Sequence, residues 1–195
     1  MLVDIVEEDA SSLEAYAAVP IRFEVFNVVE AHRPDASGEF LLEERRVSAP
    51  FEKDYDAVPG NSPLEWPTRF DLSSWGFLVA RSNGVRVGGA TVLIAPRDAD
   101  SPDAPGAGDL AVLWDIRVAP ESRGQGVGSA LLDAAERWAS RHGARRLQAE
   151  TQNINVPACR FYAHHGFTLE AVNHFAYANL PGETQFLWYK TVATE

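Results

Sequence analysis

The sequence has few of the features that mark an exported, disulfide-bonded or membrane-spanning protein. Cys159 is the only cysteine among 195 residues, so no disulfide can form within the chain, and no zinc-ligand spacing occurs. Residues 1–8 carry acids where a secretory signal would carry lysine or arginine, and no apolar run approaches the roughly 20 residues that span a bilayer. These absences predict a protein of the reducing cytoplasm, neither exported nor anchored in a membrane.

Positive charge is also scarce, since 17 Lys and Arg stand against 28 Asp and Glu and give a formal net charge of −11. The negative electrostatic field of a protein with this charge repels nucleic-acid phosphates and anionic lipid surfaces, and it mildly attracts cationic small molecules. We therefore expect neither nucleic acid nor a membrane as the main partner. A polyanionic ligand would need a site built locally from backbone amides and a few arginines.

The length and the residue pattern together predict the fold class. At roughly 150 residues per domain, we expect a single domain over residues 1–195. Periodicity and turn residues predict these elements: a strand at 1–6, a loosely helical segment at 13–33, an irregular surface loop at 39–70, a β-hairpin with strands 75–81 and 85–94, a flexible connection at 98–109, a strand at 110–118, a helix at 126–142, a strand at 145–150, a helix at 156–165, and β segments at 167–177 and 184–192. This order predicts a mixed α/β or α+β layered fold.

A glycine-rich turn between the predicted strand at 110–118 and the following helix is a candidate anion site. A helix N-terminus has amides without internal partners and roughly half a positive charge, so it binds anionic oxygens wherever no side chain blocks access. Gly124, Gly126 and Gly128 remove such obstruction, and Arg123 can add a forked charged donor to a phosphate oxygen. The structural alternative is that these glycines only form a tight turn.

Two nucleotide-binding motifs do not fit this turn. A phosphate loop of the GxxxxGK[ST] type needs a lysine, and the sequence contains neither Gly-Lys-Ser nor Gly-Lys-Thr. A dinucleotide-binding fingerprint should open a parallel βαβ unit, whereas residues 124–129 lie late in the chain and follow a predicted hairpin.

Two motifs at the right separation resemble those of the GNAT acetyltransferases. Residues 123–128, Arg-Gly-Gln-Gly-Val-Gly, match the pattern R/Q-x-x-G-x-G/A, and residues 155–167 match N-x-x-A-x-x-F-Y-x-x-x-G-F. Further similarity to the streptothricin acetyltransferases covers most of the chain, and it lies in residues 150–162, 177–180 and 187–189 and, more weakly, in 23–43 and 49–51. Two features depart from that group: Leu113-Trp114-Asp115 stand where two adjacent acids are usual, and the connection at 98–109 is longer.

The resemblance implies a fold, a reaction and a set of contacts. The fold would be a GNAT-like sheet of about seven mostly antiparallel strands, flanked by helices and splayed between its fourth and fifth strands. The reaction would be acetyl transfer from acetyl-CoA, as co-substrate and without a metal, to a primary amine. Many relatives of this kind are dimers, so a homodimer is expected by analogy. The residues that the resemblance implies as cofactor contacts are Ile116, Arg117, Val118, Arg123, Gly124, Gln125, Gly126, Val127, Gly128, Ser129, Asn155 and Tyr162.

Such a reaction needs a base and an acid. A lysine-like ammonium has a pKa near ~10.4, so its deprotonation at neutral pH costs on the order of 4 to 5 kcal/mol, and a carboxylate can accept that proton. Asp115 and Glu150 are the candidate bases. The alternative is that each is only a solvated or salt-bridged residue at the end of a strand. Tyr162 is implied by the resemblance as the general acid for the CoA thiolate, and the alternative is that it is a core aromatic.

Cysteine and histidine side chains are also reactive, but we expect no catalytic or metal-binding role for them here. Cys159 lacks an evident His-Asp relay, so we expect a small core residue and not a covalent nucleophile. His164 and His165 are adjacent and point in different directions on a helix, so metal ligation is not expected.

Three functions remain open from the sequence. The first is an N-acetyltransferase acting on a small cationic amine, such as a streptothricin-type antibiotic. The second is the same enzyme acting on a protein or a polyamine. The third is a non-catalytic sensor that binds acyl-CoA.

Overall fold

The computed structural model describes residues 2–35, 38–95 and 109–193. Its strands and helices are β1 Asp4–Glu8, α1 Leu13–Ala17, β2 Phe23–His32, β3 Leu41–Lys53, β4 Gly76–Ser82, β5 Val85–Ile94, β6 Leu110–Val118, α2 Val127–Arg141, β7 Arg146–Gln152, α3 Val156–His164, β8 Thr168–Asn173 and β9 Gln185–Thr191. Seven strands form one mostly antiparallel sheet in the order β1-β4-β5-β6-β7-β9-β8, and β2 and β3 form a second sheet. The predicted mixed fold with a sheet of about seven strands is confirmed.

The chain forms two compact units that alternate along the sequence. The first contains Met1–Arg22, Asp54–Leu147 and Thr191–Glu195, and the second contains Phe23–Lys53 and Gln148–Lys190.

The first unit is built on the antiparallel pairs β1–β4, β4–β5 and β5–β6. The predicted hairpin at 75–94 is confirmed, and its turn consists of Asn83 with φ 50° and Gly84 with φ 79°. Both residues are in the left-handed region that a two-residue hairpin turn requires. The helix α2 packs on this sheet through an apolar face that includes the fully buried Leu131 and Trp138.

The second unit contains the antiparallel pairs β2–β3 and β8–β9 together with α3. Pro157 lies in the first turn of α3, where its missing N–H has no intrahelical partner to lose. Phe186 and Trp188 on β9 are each 1% exposed and form part of the core of this unit.

The predicted helical segment at 13–33 is wrong beyond its first turns, because residues 23–32 form β2. The buried residues of this stretch are Val25 and Val29, which are 1% and 3% exposed. A spacing of four residues places side chains on one face of a helix and also on one face of a strand. Periodicity alone therefore could not separate the two structures.

The predicted irregular loop at 39–70 is also wrong over residues 41–53, which form the 13-residue strand β3. Its pairing with β2 contains a bulge in which Phe26 alone lies opposite residues 47–50. Pro50 lies within this bulge, where the ladder does not need its missing N–H. The rest of the predicted loop contains a short 3-10 helix at Pro63–Thr68.

The remaining predicted segments agree with the structure within a few residues at each end. These are the strands at 1–6, 110–118 and 145–150, the helices at 126–142 and 156–165, and the two closing β segments. The predicted flexible connection at 98–109 lies outside the described residues except for Asp109. Within the described ranges, no helix combines the length and the apolar character needed to cross a bilayer.

Candidate active site

The glycine-rich turn in the first unit has the geometry of an anion-binding helix start. Gly124 and Gly126 have φ values of 71° and 86°, which side-chain-bearing residues rarely adopt, and Gly126 is the N-cap of α2. A Cβ atom at either glycine would meet nothing within 4 Å, so the space above the turn is open. The Ala130 N–H donates to the Gly126 carbonyl at 3.0 Å. The first amides of an α-helix have no acceptor within the helix, so those of Val127 and Gly128 suit an anionic group such as a diphosphate.

The Arg123 side chain stabilises the loops around this turn. Its guanidinium donates to the carbonyls of Val118 at 3.0 Å, Arg22 at 3.0 Å and Pro20 at 3.2 Å. Burial lowers the pKa of this guanidinium from its ordinary value. In this arrangement each of its three nitrogens donates to a carbonyl oxygen.

The strand β6 leads directly into the turn. Its residues Ile116, Arg117 and Val118 lie opposite Ala90, Gly89 and Gly88 of β5. The Arg117 side chain is buried and has a role that the sequence did not predict, because it forms an ion pair with two carboxylates.

Asp115 belongs to this ion-paired network. Its Oδ1 accepts from the Tyr16 hydroxyl at 2.5 Å and from Arg117 Nε at 2.9 Å, and its Oδ2 accepts from Arg117 Nη2 at 2.9 Å. Arg117 also donates to both oxygens of Asp56 and to the Val19 carbonyl. Burial, followed by the charge of Asp115, raises the pKa of Tyr16, so this phenol stays protonated. The permanent Arg117 guanidinium offsets part of the negative charge that Asp115 and Asp56 carry together.

Glu150, the other candidate base, lies on β7 in the second unit and has a different set of partners. Its Oε1 accepts from the Tyr177 hydroxyl at 2.6 Å, and its Oε2 accepts from Gln185 Nε2 at 2.7 Å. Gln152 Nε2 donates to the Tyr177 oxygen at 2.9 Å and lies 3.5 Å from Glu150 Oε1. Glu150 is exposed, and these donors are all neutral. Its negative charge thus remains available to attract a cation.

The helix α3 carries the other predicted contacts of the second unit. Asn155 is its N-cap, and its Oδ1 accepts from the Ala158 N–H at 3.2 Å. Tyr162 is 4% exposed and packs against Phe161 and Phe167, with ring centroids 5.3 Å apart in both pairs. In this structure Tyr162 therefore packs as a core aromatic.

Cys159 is a buried core thiol. It is 2% exposed, and its Sγ lies 3.4 Å from the Thr151 hydroxyl. Burial raises its pKa to about 11. Because the thiolate is the nucleophilic form, a thiol with this pKa is poorly suited to carry an acetyl group at neutral pH. Among the described residues, no cluster of three or more His, Cys, Asp or Glu side chains is placed to hold a metal ion.

Aromatic side chains form a continuous cluster in the first unit. Trp114 lies 5.1 Å from Phe70 and 5.2 Å from Trp75 between ring centroids, and Trp66 lies 5.8 Å from Trp75. Trp66 is 2% exposed, whereas Trp114 is 41% exposed. Trp114 is the extra residue of a bulge in β6, since Asp115 pairs with Thr91 and Leu113 pairs with Val92.

A cavity of about 440 Å³ lies within the second unit. Its polar lining includes Glu30, His32, Asn153, His174 and Thr184. His174 and Thr184 belong to the segment 174–184 between β8 and β9, which also carries Tyr177. This segment therefore contributes both to the cavity and to the hydrogen bonds of Glu150.

Sequence reasoning missed several residues of these networks, which are Tyr16, Asp56, Tyr177 and Gln185. Tyr16 and Asp56 are far from Asp115 in the sequence, and no local motif marks their contacts with it or with Arg117. Tyr177 lies in a segment that carried the family resemblance, but its role there was not predictable from spacing.

The glycine turn at the start of α2 thus follows β6, a strand of a mostly antiparallel seven-stranded sheet. Residues 39–167, which are 129 of the 195, match the acetyltransferase (GNAT) family. The chain belongs to this family.

The chain is also similar to individual acetyltransferases. The chain is 44% identical over 81 residues to streptothricin acetyltransferase A of Bacillus subtilis (strain 168), a match that covers 40% of this chain and 47% of that protein. It is 26% identical over 159 residues to the streptothricin acetyltransferase of Streptomyces lavendulae, which covers 81% of this chain and 79% of that protein. The match to the Bacillus subtilis protein thus spans about half the length of that protein.

Solved structures share the fold over nearly the whole chain. A nourseothricin acetyltransferase crystal structure superposes with a TM-score of 0.74 at 25% identity and covers 99% of this chain and 100% of that one. A protein of Bacillus anthracis str. Ames, solved in complex with acetyl coenzyme A, superposes with a TM-score of 0.77 at 21% identity and covers 97% and 99% of the two chains.

Proposed function

We propose that the whole chain acts as one catalytic domain that transfers an acetyl group from acetyl-CoA to a primary amine of a small cationic acceptor of the streptothricin type. The observation that carries this proposal is the open turn at Gly124 and Gly126, where backbone amides at the start of α2 suit a diphosphate. The family membership and the names of the relatives support the reaction and the acceptor class.

The proposed cofactor contacts follow from the family motifs. Residues 123–129 would hold the pyrophosphate, Ile116, Arg117 and Val118 would contact the pantetheine arm through their backbone, and Asn155 and Tyr162 would contribute from α3. Acetyl-CoA supplies an activated acyl group as a thioester. The net charge of −11 favours a cationic acceptor over an anionic one.

Of the two carboxylates, Glu150 is the better candidate for the base. Removing the proton of an aliphatic ammonium at neutral pH costs on the order of 4 to 5 kcal/mol, so the base must first attract the cation and then accept the proton. Asp115 accepts from the Arg117 guanidinium and the Tyr16 hydroxyl, which hold it in place and weaken its attraction for a cation. The donors to Glu150 are neutral, and an ionised carboxylate with one strong hydrogen bond on each oxygen still has free lone pairs.

Tyr162 is proposed as the acid that protonates the departing thiolate. A phenol with an ordinary pKa of ~10 is protonated at neutral pH and can donate. This role requires the Tyr162 hydroxyl to become accessible to the bound thioester, because the side chain is 4% exposed in this structure.

Calorimetry and a thiol-release assay test the proposal. We expect heat of binding with both CoA and acetyl-CoA, and thiol release from acetyl-CoA with streptothricin that exceeds the release with spermidine or a lysine-containing peptide. No heat with either cofactor would refute the cofactor assignment. Turnover of the peptide alone would refute the acceptor class, and binding without any turnover would indicate a non-catalytic acyl-CoA sensor.

The Tyr162→Phe variant tests the acid separately. We expect thiol release to fall by about 100-fold, within the range of general acid catalysis, while acetyl-CoA still binds. Tyr189→Phe on β9 is the matched control, and we expect it to retain wild-type turnover. Equal turnover in Tyr162→Phe and the wild type would remove Tyr162 from the mechanism.

A further inference from the structure

Tyr177 makes a short hydrogen bond to the proposed base. Its hydroxyl donates to Glu150 Oε1 at 2.6 Å and accepts from Gln152 Nε2 at 2.9 Å. On the other oxygen, Gln185 Nε2 donates to Glu150 Oε2 at 2.7 Å. Two donors from different parts of the chain therefore fix both carboxylate oxygens of Glu150.

The direction of the Tyr177 bond is set by its surroundings. Burial, followed by the negative charge of Glu150, raises the pKa of Tyr177 above its ordinary value, and Glu183 acts in the same direction. Glu183 is itself paired with Lys53. Tyr177 thus remains protonated and acts as the donor to Glu150 over the whole range of pH in which the enzyme would work.

Backbone hydrogen bonds connect Tyr177 to the end of the segment 174–184. The Leu180 N–H donates to the Tyr177 carbonyl at 3.1 Å, and the Glu183 N–H donates to the Leu180 carbonyl at 2.9 Å. At the end of the segment, the Thr184 N–H donates to Asn153 Oδ1 at 2.9 Å, and the Asn153 N–H donates to the Thr184 carbonyl at 3.0 Å. These bonds attach the segment 174–184 to the end of β7, the strand that carries Glu150.

We propose that Tyr177 is a positioning residue for the acetyl transfer, which fixes the Glu150 carboxylate in the orientation that accepts the proton of the amine. The inference rests on the proposed function and on Glu150 as its base. Gln185 supports the same carboxylate from β9, and the cavity lined by His174 and Thr184 places the segment beside space for a small molecule. Without the Tyr177 hydroxyl, Glu150 would keep its charge but sample more orientations, because its Oε1 would lose a short hydrogen bond.

A double-mutant cycle separates positioning from a structural role. Tyr177→Phe removes only the hydroxyl, and we expect kcat with streptothricin to fall about tenfold while KM for acetyl-CoA changes less than about twofold. Glu150→Gln should lower kcat by about 100-fold, as expected for a general base. In the Glu150→Gln background, Tyr177→Phe should have less than about a twofold further effect, because residues that act as a unit are not additive.

The outcomes are distinct. If Tyr177→Phe lowers kcat equally in both backgrounds, Tyr177 does not act through Glu150 and the inference is wrong. It is also wrong if Tyr177→Phe leaves kcat unchanged in the wild-type background. If the wild type releases no thiol with any acceptor, or if Glu150→Gln is fully active, the proposed function or its base fails instead. Tyr189→Phe, which removes a hydroxyl from β9, serves as the control for nonspecific effects and should match the wild type.

Discussion

The Tyr16 hydroxyl donates a 2.5 Å hydrogen bond to Asp115 across a sequence separation of 99 residues. Tyr16 is fully buried, and its ring also packs against Phe77 and lies beneath Gly89 on β5, where an added Cβ would come within 2.5 Å of the ring. Asp115 is held by Arg117 at the same time. This arrangement gives Asp115 a structural role in the first unit, which supports the proposal that Glu150 is the base.

Tyr16→Phe should destabilise the protein without affecting cofactor binding. The variant keeps the packed ring and removes a donor to a charged acceptor, which costs about 1.5–3 kcal/mol. Urea unfolding measures the loss, and calorimetry with acetyl-CoA should give the wild-type affinity. Unchanged stability would show that the Tyr16 bond contributes nothing net, and a weakened affinity would place Tyr16 in the cofactor site.

Arg117→Met should be among the more destabilising single changes in the first unit. It leaves Asp56 and Asp115 without their counter-ion, and removal of one partner from a buried pair costs about 3–5 kcal/mol. Neutralising both acids in the same chain, as Asp56→Asn and Asp115→Asn, should recover part of that loss because no unpaired charge then remains. Chemical unfolding of the single and triple variants tests this, and a triple variant less stable than Arg117→Met would contradict it.

The fold was predictable wherever one residue pattern permitted only one structure. The hairpin follows from Asn83-Gly84, turn residues that need positive φ, and α2 follows from the apolar residues spaced along one helical face. The β2–β3 hairpin was not predictable, because Val25 and Val29 satisfy helical and strand spacing alike. The bulge at residues 47–50 also hides the strand, since it places Pro50 inside an element that proline normally ends.

The candidate site was predictable only where its residues share a local motif. The glycine turn is contiguous in sequence, so its geometry could be anticipated from residues 123–129. The partners of Asp115 and Glu150 come from distant segments, and only the folded chain shows that one acid faces a guanidinium and the other faces neutral donors. The sequence left Asp115 and Glu150 as alternative candidates for the base, and the charge of their partners distinguishes them.

Cys159 should make stability fall as the solution becomes alkaline. Its pKa is raised from an ordinary value of 9.0 to about 11 in the folded protein, so its contribution is complete below pH 9 and is lost as the pH rises to about 11. A pKa difference of this size between the folded and unfolded protein corresponds to about 2–3 kcal/mol of stability. Urea unfolding of the wild type and of Cys159→Ala between about pH 8 and pH 10.5 should show a shallower decline in the variant.

The same variant tests the nucleophile. Cys159→Ala should retain thiol release from acetyl-CoA at neutral pH, because the amine attacks the thioester directly in the proposed reaction. Parallel pH profiles of stability in the two proteins would contradict the raised pKa, and loss of turnover in a folded variant would restore Cys159 as a nucleophile.

Gly126→Ala should weaken cofactor binding more than it weakens folding. Its φ of 86° is strained for alanine by about 1–2 kcal/mol, and the new methyl group would occupy the open space above the amides of the turn. Gly84→Ala is a matched control, because Gly84 has φ 79° and an equally open surrounding but lies in the β4–β5 hairpin. Both variants should lose similar stability on thermal unfolding, whereas only Gly126→Ala should lose affinity for CoA in calorimetry, by about tenfold or more. Equal CoA affinities in the two variants would show that the turn after β6 does not hold the diphosphate, since backbone strain is the same in both and only the position differs.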